Sequence, residues 1–379
     1  MSWHVEVAEV IEETHEARTL VLRVPTRFVP DFAYRPGQFL TVRVPHPQSG
    51  PEGSVARCYS LSSSPDTDEL PRITVKRVPG GYASNWLCDH ITPGCTLQVL
   101  PPAGRFTPRR VDDDLLLVAG GSGITPVVSI LKTALARGRA RVSLLYANRD
   151  EDGVIFAQEL KALQARHPDR LRVVLWLDSV QGPPTAAALQ ASIADLVPAG
   201  VGLAGPEVFL CGPGAFMDSA AHAVHGLGVP AARVHVERFE SLAENPFATR
   251  PGTSGDLGEQ EGSMDDASTG PAPRPGPAPA ADAGPGGAPD TTVAVTRNGR
   301  VHTVPWPPGE RLLDVLIAAG LNPPYSCRQG QCGACACRIT GGEVELLHNE
   351  ILEEEDLADQ YILACQAVAR TSIVEISYD

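Results

Sequence analysis

The 379-residue sequence has no apolar run approaching the roughly 18 residues that a membrane span requires, so no membrane is expected. Its opening, Met1–Val10, alternates polar and apolar residues and has no basic region followed by an apolar core, which argues against a secretory leader. Positive charge is scarce. With 31 Lys+Arg against 45 Asp+Glu the net charge is −14, and without clustered cations nucleic acid is not an expected ligand. No acid/base triad stands out, and none of the ten His, the helix-spaced His222 and His225 included, has metal-site context. These absences leave an expectation of a cytoplasmic, monomeric protein, acidic enough to suit a basic protein partner.

At 43% hydrophobic and 20% charged residues the composition is that of globular protein, and the length calls for two to three domains. Residues 1–110 carry short β-type runs (His4–Val10, Ala17–Val24, Gln38–Val44, Ile73–Arg77, Thr96–Val99) between Pro and Gly, the pattern of a small antiparallel barrel. In 111–245, apolar runs at Leu115–Ala119, Val142–Tyr146, Arg172–Leu177 and Val208–Cys211 alternate with helical stretches, which predicts an α/β domain with a parallel sheet. Positions 251–290 hold eight Pro, nine Gly and seven Ala, with Leu257 and Met264 as the only bulky apolar side chains. Too little surface can be buried there to offset chain entropy, so 246–290 reads as a disordered linker. Order is expected to resume over 291–379.

The cysteines carry the first chemical signal. Cys327, Cys332 and Cys335 give C-x4-C-x2-C, with Cys365 after 29 intervening residues, the plant-type [2Fe–2S] spacing. Gly330 and Gly333 let the loop wrap closely and aim its N–H groups at the sulfurs. A structural zinc site is the rival, although that would show two close ligand pairs and here only Cys332–Cys335 forms one. Cys337 is an extra thiol expected to pack as a small hydrophobe. The stretch Ser326–Cys335 resembles the cluster loop of plant-type ferredoxins. That resemblance implies a β-grasp fold and four ligands at Cys327, Cys332, Cys335 and Cys365.

Two further regions suggest organic cofactors. In Arg57-Cys58-Tyr59-Ser60 the guanidinium suits a phosphate, the Tyr ring a stacked isoalloxazine, and the Ser hydroxyl a flavin nitrogen. Val75-Lys76-Arg77 then leads to Gly80-Gly81-Tyr82-Ala83-Ser84-Asn85, a turn into a short helix whose N-terminus suits a pyrophosphate. Leu115–Ala119 meets Gly120-Gly121-Ser122-Gly123-Ile124-Thr125-Pro126, with Thr125 expected as N-cap and Pro126 as first helical residue. This is not G-x-G-x-x-G, and a tight turn without ligand is the plainer alternative. Val208–Leu210 runs into Cys211-Gly212-Pro213-Gly214, a second strand-end turn at the ligand-binding edge of such a sheet.

Together these pieces resemble the ferredoxin-NADP reductase superfamily over residues 3–240. The resemblance implies that Val75, Lys76, Gly81, Ala83 and Ser84 join Arg57, Tyr59 and Ser60 around the flavin. Gly121, Ser122, Gly123, Thr125, Cys211, Gly212 and Pro213 then hold the nicotinamide cofactor, with Ser60, Thr125 and Cys211 nearest the reacting rings. Val236-Glu237-Arg238-Phe239 resembles the closing strand, with Phe239 shielding the flavin. The order flavin, nicotinamide, ferredoxin resembles the one-chain reductases of multicomponent oxygenases. Glu237–Phe247 and Val374–Asp379 resemble most the reductases of 3-ketosteroid 9α-hydroxylases, implying NADH, FAD and a Rieske-type terminal oxygenase as acceptor. Reductases of phenylacetyl-CoA epoxidase or other diiron oxygenases share this architecture, and phthalate dioxygenase reductase shares the order with FMN.

Nicotinamide gives up a hydride and an iron–sulfur cluster takes single electrons, so a flavin must stand between them. A tethered ferredoxin domain carrying electrons between two partners, or a stand-alone diaphorase, are the rival readings. Arg149 could meet a 2′-phosphate while Asp150, Glu151 and Asp152 would oppose one, which favours NADH and leaves NADPH open. Eight carboxylates between Glu343 and Asp359 (Glu343, Glu345, Glu350, Glu353, Glu354, Glu355, Asp356, Asp359) offer a docking face for a basic oxygenase, or else a solvated helix face.

Overall fold

The computed structural model describes residues 2–48, 53–196, 205–239, 241–242, 245–247, 291–297, 299–321, 323–352 and 354–379. The linker expected at 246–290 falls almost wholly outside these residues, as does Glu353. Three sheets with separate cores follow one another along the chain.

The first sheet holds β1 (Trp3–Thr14), β2 (Ala17–Arg23), β3 (Phe39–Pro45), β4 (Ser54–Ser60), β5 (Arg72–Lys76) and β6 (Thr96–Val99), with α1 (Tyr82–His90) packed on it. Period-2 alternation sets the faces: Trp3, Val5 and Val7 point into the core while His4 and Glu6 face water. All pairings are antiparallel, in the order β4-β3-β6-β1-β2-β5. The antiparallel domain expected from the sequence is therefore present. A closed barrel is not established: β4 and β5 are the edges of the sheet, and among the described residues a single isolated bridge, Leu61 to Ile73, brings their ends together.

The second sheet is parallel throughout, in the order β11-β10-β7-β8-β9. Its elements are β7 (Leu115–Gly120), α2 (Ile124–Arg137), β8 (Val142–Asn148), α3 (Ala157–Arg166), β9 (Leu171–Leu177), the one-turn α4 (Asp178–Gln181), α5 (Ala186–Leu196), β10 (Glu207–Cys211), α6 (Gly214–Gly226) and β11 (Val234–Glu237). Every residue of β7 is buried, as a parallel strand covered on both faces demands. The chain winds from β7 outward through β8 and β9, then returns to the other side of β7 with β10. The crevice of this doubly wound sheet therefore lies between the carboxyl ends of β7 and β10. Helix α2 is buried around most of its circumference because it is also pressed against the first domain. Ser129 Oγ donates to Ser63 O at 2.6 Å, and Lys132, 6% exposed, reaches Asp68 at 2.7 Å and Glu159 on α3 at 2.8 Å.

The third unit comprises β12 (Thr291–Arg297), β13 (Arg300–Trp306), α7 (Leu312–Ala318), β14 (Ala336–Gly341), β15 (Val344–Leu346), α8 (Glu354–Ala358), β16 (Tyr361–Leu363), β17 (Ala367–Ala369) and β18 (Ile373–Ser377). Its main sheet runs β13-β12-β18-β14-β16, with β12 and β18 parallel at the centre, and β15 pairs with β17 apart from it. The apolar face of α7, Leu312, Leu313, Val315 and Leu316, fills this core, and Cys337 on β14 packs there as a small hydrophobe. No helix among the described residues is long and apolar enough to cross a membrane.

Candidate electron-transfer site

The four cluster-spaced cysteines lie on the loop between α7 and β14 and just after β16. Gly330 (φ +79°) and Gly333 (φ +65°) are left-handed, and so is Arg328 (φ +59°), whose carbonyl is held by Gln366 Nε2 at 2.8 Å. These turns bring backbone N–H groups to sulfur. Gln329 donates to Cys327 Sγ at 3.3 Å, Cys327 to Cys332 Sγ at 3.4 Å, and Cys365 to Cys335 Sγ at 3.4 Å. The thiols associate two by two. The Cys332 thiol holds Cys327 down to about 6, and the Cys335 thiol likewise lowers Cys365. Among the described residues no three His, Cys, Asp or Glu converge on a single metal-ion position. A tetrahedral zinc site needs four ligands around one point, whereas a two-iron cluster takes two thiolates at each iron. The donor set therefore fits [2Fe–2S]. Gln366, 2% exposed, also donates to Cys365 Sγ at 3.5 Å. Gln366→Leu is expected to move the cluster potential to more negative values by about 40 mV, since a hydrogen bond worth about 1 kcal/mol to the reduced form is lost; redox titration followed by EPR reads it.

The flavin candidates lie on the two edge strands of the first sheet, which the Leu61 to Ile73 bridge brings together, and on α1. Arg57, Tyr59 and Ser60 end β4, with Ser60 buried and burial pushing the Tyr59 hydroxyl well above its usual value. Val75 and Lys76 end β5, and Gly81, Ala83 and Ser84 open α1. The turn before α1 is closed by Val78 N donating to Ser84 Oγ at 3.1 Å and Asn85 Nδ2 donating to Gly81 O at 2.6 Å. α1 has no side-chain N-cap bond, so its first-turn N–H groups are left for an anion, whereas Ile124 N at the start of α2 already donates to the carbonyls of Gly121 and Ser122. Lys76 Nζ meets Glu16 at 3.7 Å, and Arg149 meets the same carboxylate at 3.3 Å.

The nicotinamide candidates converge at the crevice of the parallel sheet. Cys211 pairs in register with Ala119, and a Cβ built on Gly123 would lie 2.0 Å from Cys211 O and 2.7 Å from Gly212 N. The Gly120–Gly123 turn and the Cys211–Pro213 turn are thus in contact, which only a missing side chain permits. Helix α2 begins at Ile124 with Gly123 as N-cap, so Thr125 is not the N-cap and Pro126 is not the first helical residue. Thr125 sits in the first turn with its hydroxyl on Ser122 O at 3.1 Å, and Pro126 is tolerated there because first-turn N–H groups have no helical partner. His222 and His225 are exposed, away from this crevice.

Sequence reasoning placed Glu237 in the closing strand and gave it no role at the site. It pairs in register with Cys211, its Oε2 is buried without a hydrogen-bond partner, and burial pushes its carboxyl up to about 8. Burial likewise raises the thiol of Cys211, and the nearby Glu237 carboxylate adds to it. A lone acid among the apolar residues of a closing strand was the available signal. Because the folded value lies above the unfolded one, the native state keeps a proton that the unfolded chain releases. Stability is expected to fall as pH rises from about 4.5 to about 8 and to level off above, and Glu237→Gln is expected to flatten that slope in denaturant titrations across pH.

The cluster loop docks on the flavin strands. Ser326, next to Cys327, shares hydrogen bonds with Thr41 Oγ1 on β3 at 2.9 Å and Cys58 Sγ on β4 at 3.4 Å. Ala334 and Cys332 pack on Phe39, Ala103 and Cys58. Arg105 pairs with Asp356 and lies over the Tyr361 ring, and Arg109 stands 3.9 Å from Glu355. Asp356, one of the carboxylates read as an outward docking face, is therefore turned inward onto Arg105, while Glu355 stays exposed beside Arg109.

Residues 4–107 match the family model of the oxidoreductase FAD-binding domain, 117–222 that of the oxidoreductase NAD-binding domain, and 295–370 that of the 2Fe-2S iron-sulfur cluster binding domain. The chain is 48% identical over 98% of its length to the ferredoxin reductase component of 3-ketosteroid-9-alpha-monooxygenase from Rhodococcus rhodochrous, covering 95% of that protein. It is 31% identical to one of the polypeptides of 1,2-phenylacetyl-CoA epoxidase from Escherichia coli, over 98% of this chain and 96% of that one. Among solved structures, phthalate dioxygenase reductase shares the fold with a TM-score of 0.53 at 24% identity, over 99% of this chain and 98% of that one.

Proposed function

The chain belongs to the family of ferredoxin reductase components of 3-ketosteroid-9-alpha-monooxygenases, and from that premise we propose that it is an NADH-dependent reductase passing single electrons through FAD and a [2Fe–2S] cluster to a Rieske-type 3-ketosteroid 9α-oxygenase. The identity of 47–48% to these reductases, against 31% to the epoxidase polypeptide, favours the ketosteroid oxygenase over a diiron acceptor. One observation carries the internal relay: Ser326, adjacent to ligand Cys327, is bonded to the strand that holds the Arg57–Ser60 flavin motif.

When bound, the flavin takes a hydride from nicotinamide and releases electrons singly. The protein's own residues do the rest. Arg57, Tyr59, Ser60 and the α1 N-terminus hold the flavin, while Val75, Ala83 and Ser84 shape its seat. Gly121, Ser122, Gly123 and Thr125 seat the nicotinamide cofactor against Cys211, Gly212 and Pro213, at a geometry that makes transfer effectively unimolecular. Glu237 keeps its proton beside Cys211 and so spares the crevice a buried negative charge. The pairing of Arg149 with Glu16 weakens its claim on a 2′-phosphate and supports NADH. In the proposed division the flavin domain spans 1–110, the nicotinamide domain 111–245 and the ferredoxin domain 291–379, in one cytoplasmic polypeptide.

Stopped-flow mixing with NADH is expected to bleach flavin first and cluster second, with no other protein added. If the cluster fills only when a partner is supplied, the internal relay is wrong and the tethered-shuttle reading takes its place.

A further inference from the structure

We propose that the acceptor takes its electrons through a separate face of the ferredoxin domain, formed by Gln331, Leu347, His348 and Glu350, while the cluster loop stays docked on the flavin strands. The inference rests on the reading that a terminal oxygenase is the acceptor. The loop's other side is closed to a visitor: Ala334 is 6% exposed against Phe39 and Ala103, and Asp356 is held by Arg105.

The proposed face is tied to the cluster by short bonds. Leu347 N donates to the carbonyl of Gln366, the neighbour of Cys365, at 2.9 Å, and Glu350 N donates to Gly330 O at 3.0 Å. The carbonyl of His348 lies so close over Gly330 that a Cβ there would stand 2.8 Å from it. Residues 347–350 therefore form a thin cover over the loop that carries Cys327 and Cys332. Their side chains face solvent even in the docked arrangement. Leu347 is 51% exposed, and its neighbours His348 and Glu350 pair with each other at 2.8 Å with about half of each side chain exposed. Gln331 Nε2 donates to Glu350 at 3.1 Å.

The chemistry of the partner follows from charge. On β15 and the residues flanking it, the alternate positions Glu343, Glu345 and Leu347 are all exposed, and Arg370, paired with Glu345, is the only Lys or Arg whose ion pair involves these residues among those described. An apolar side chain flanked by carboxylates fits a protein surface with an apolar recess rimmed by Lys or Arg. Each encounter moves one electron, so one NADH reduces two acceptors in turn, leaving NAD+ and a proton.

The test uses the full holoprotein and two acceptors, the oxygenase component of 3-ketosteroid 9α-monooxygenase and cytochrome c, a basic haem protein. Leu347→Ser and Glu350→Lys are expected to lower kcat/KM for the oxygenase about tenfold each (about 1.4 kcal/mol each), and Glu350→Lys, which reverses a charge, is expected also to flatten its salt dependence. Reduction of flavin and cluster by NADH is expected to stay unchanged, as is the cluster potential in Leu347→Ser, which alters no charge. Arg105→Ala is expected to slow internal transfer without changing delivery from protein reduced beforehand with dithionite. Unchanged oxygenase reduction in the Leu347 and Glu350 variants overturns the proposal, as does faster delivery from pre-reduced Arg105→Ala, which would mean that exit needs the docked side uncovered. If the wild type reduces cytochrome c but not the oxygenase, the identity of the acceptor is wrong, and the exit face then stands or falls on whether the same variants slow cytochrome c reduction.

Discussion

Gly123→Ala is expected to cut kcat/KM for NADH at least ~10²-fold, because a displacement of about 1 Å in positioning carries a cost of that size. The added Cβ would stand 2.0 Å from the Cys211 carbonyl and 2.7 Å from Gly212 N, both backbone atoms with no rotamer to escape by. The two turns that bracket the crevice must then separate, although neither loses a polar or charged group. Flavin content, dithionite reduction of flavin and cluster, and electron delivery from chemically reduced protein are expected to remain. NADH-driven flavin reduction, followed in the stopped-flow, carries the defect. A variant reduced by NADH at the wild-type rate would mean that the turns do not hold the nicotinamide cofactor between them.

Lys132→Met is expected to destabilise the flavin–nicotinamide unit by about 3–5 kcal/mol, the range for removing one partner of a buried ion pair. Lys132 is 6% exposed and lies between Asp68, itself nearly buried, and Glu159, so it joins the first domain to α2 and α3. Without the ammonium two carboxylates face each other across the domain junction. A drop in Tm of ~10 °C follows at about 2–4 °C per kcal/mol for a unit of this size. The double variant Lys132→Met with Asp68→Asn is expected to recover much of the loss, because it removes the stranded charge. If the double variant is no more stable than the single one, the contribution of Lys132 is packing of its alkyl stem and not charge.

The sequence carried the motifs better than their surroundings. Cys327, Cys332, Cys335 and Cys365 were legible because a cluster loop must repeat the same short spacing wherever it occurs, and the strands of the parallel sheet were legible because burial on both faces leaves continuous apolar runs. The start of α2 was misread by two residues: Thr125 and Pro126 look like a cap and first residue, but Gly123 already opens the helix and Thr125 bonds within its first turn. Glu237 escaped notice because burial, not residue type, lifts its carboxyl to about 8, and burial of a strand end depends on which strand lies beside it. The acidic stretch was read as facing outward because no local pattern shows that Arg105, 251 residues away along the chain, meets Asp356.

The central parallel pair of the ferredoxin unit sets the order of its making. β12 is the first strand of that unit and β18 the last, and their neighbours β13 and β14 attach on either side of them. Without β18 the sheet falls into two unjoined halves, β13-β12 and β14-β16. During synthesis on the ribosome the two earlier domains can close while the chain is still growing, but this unit must wait for its final strand. A chain truncated before Ile373 is expected to be yellow and able to oxidise NADH, yet to lack the cluster.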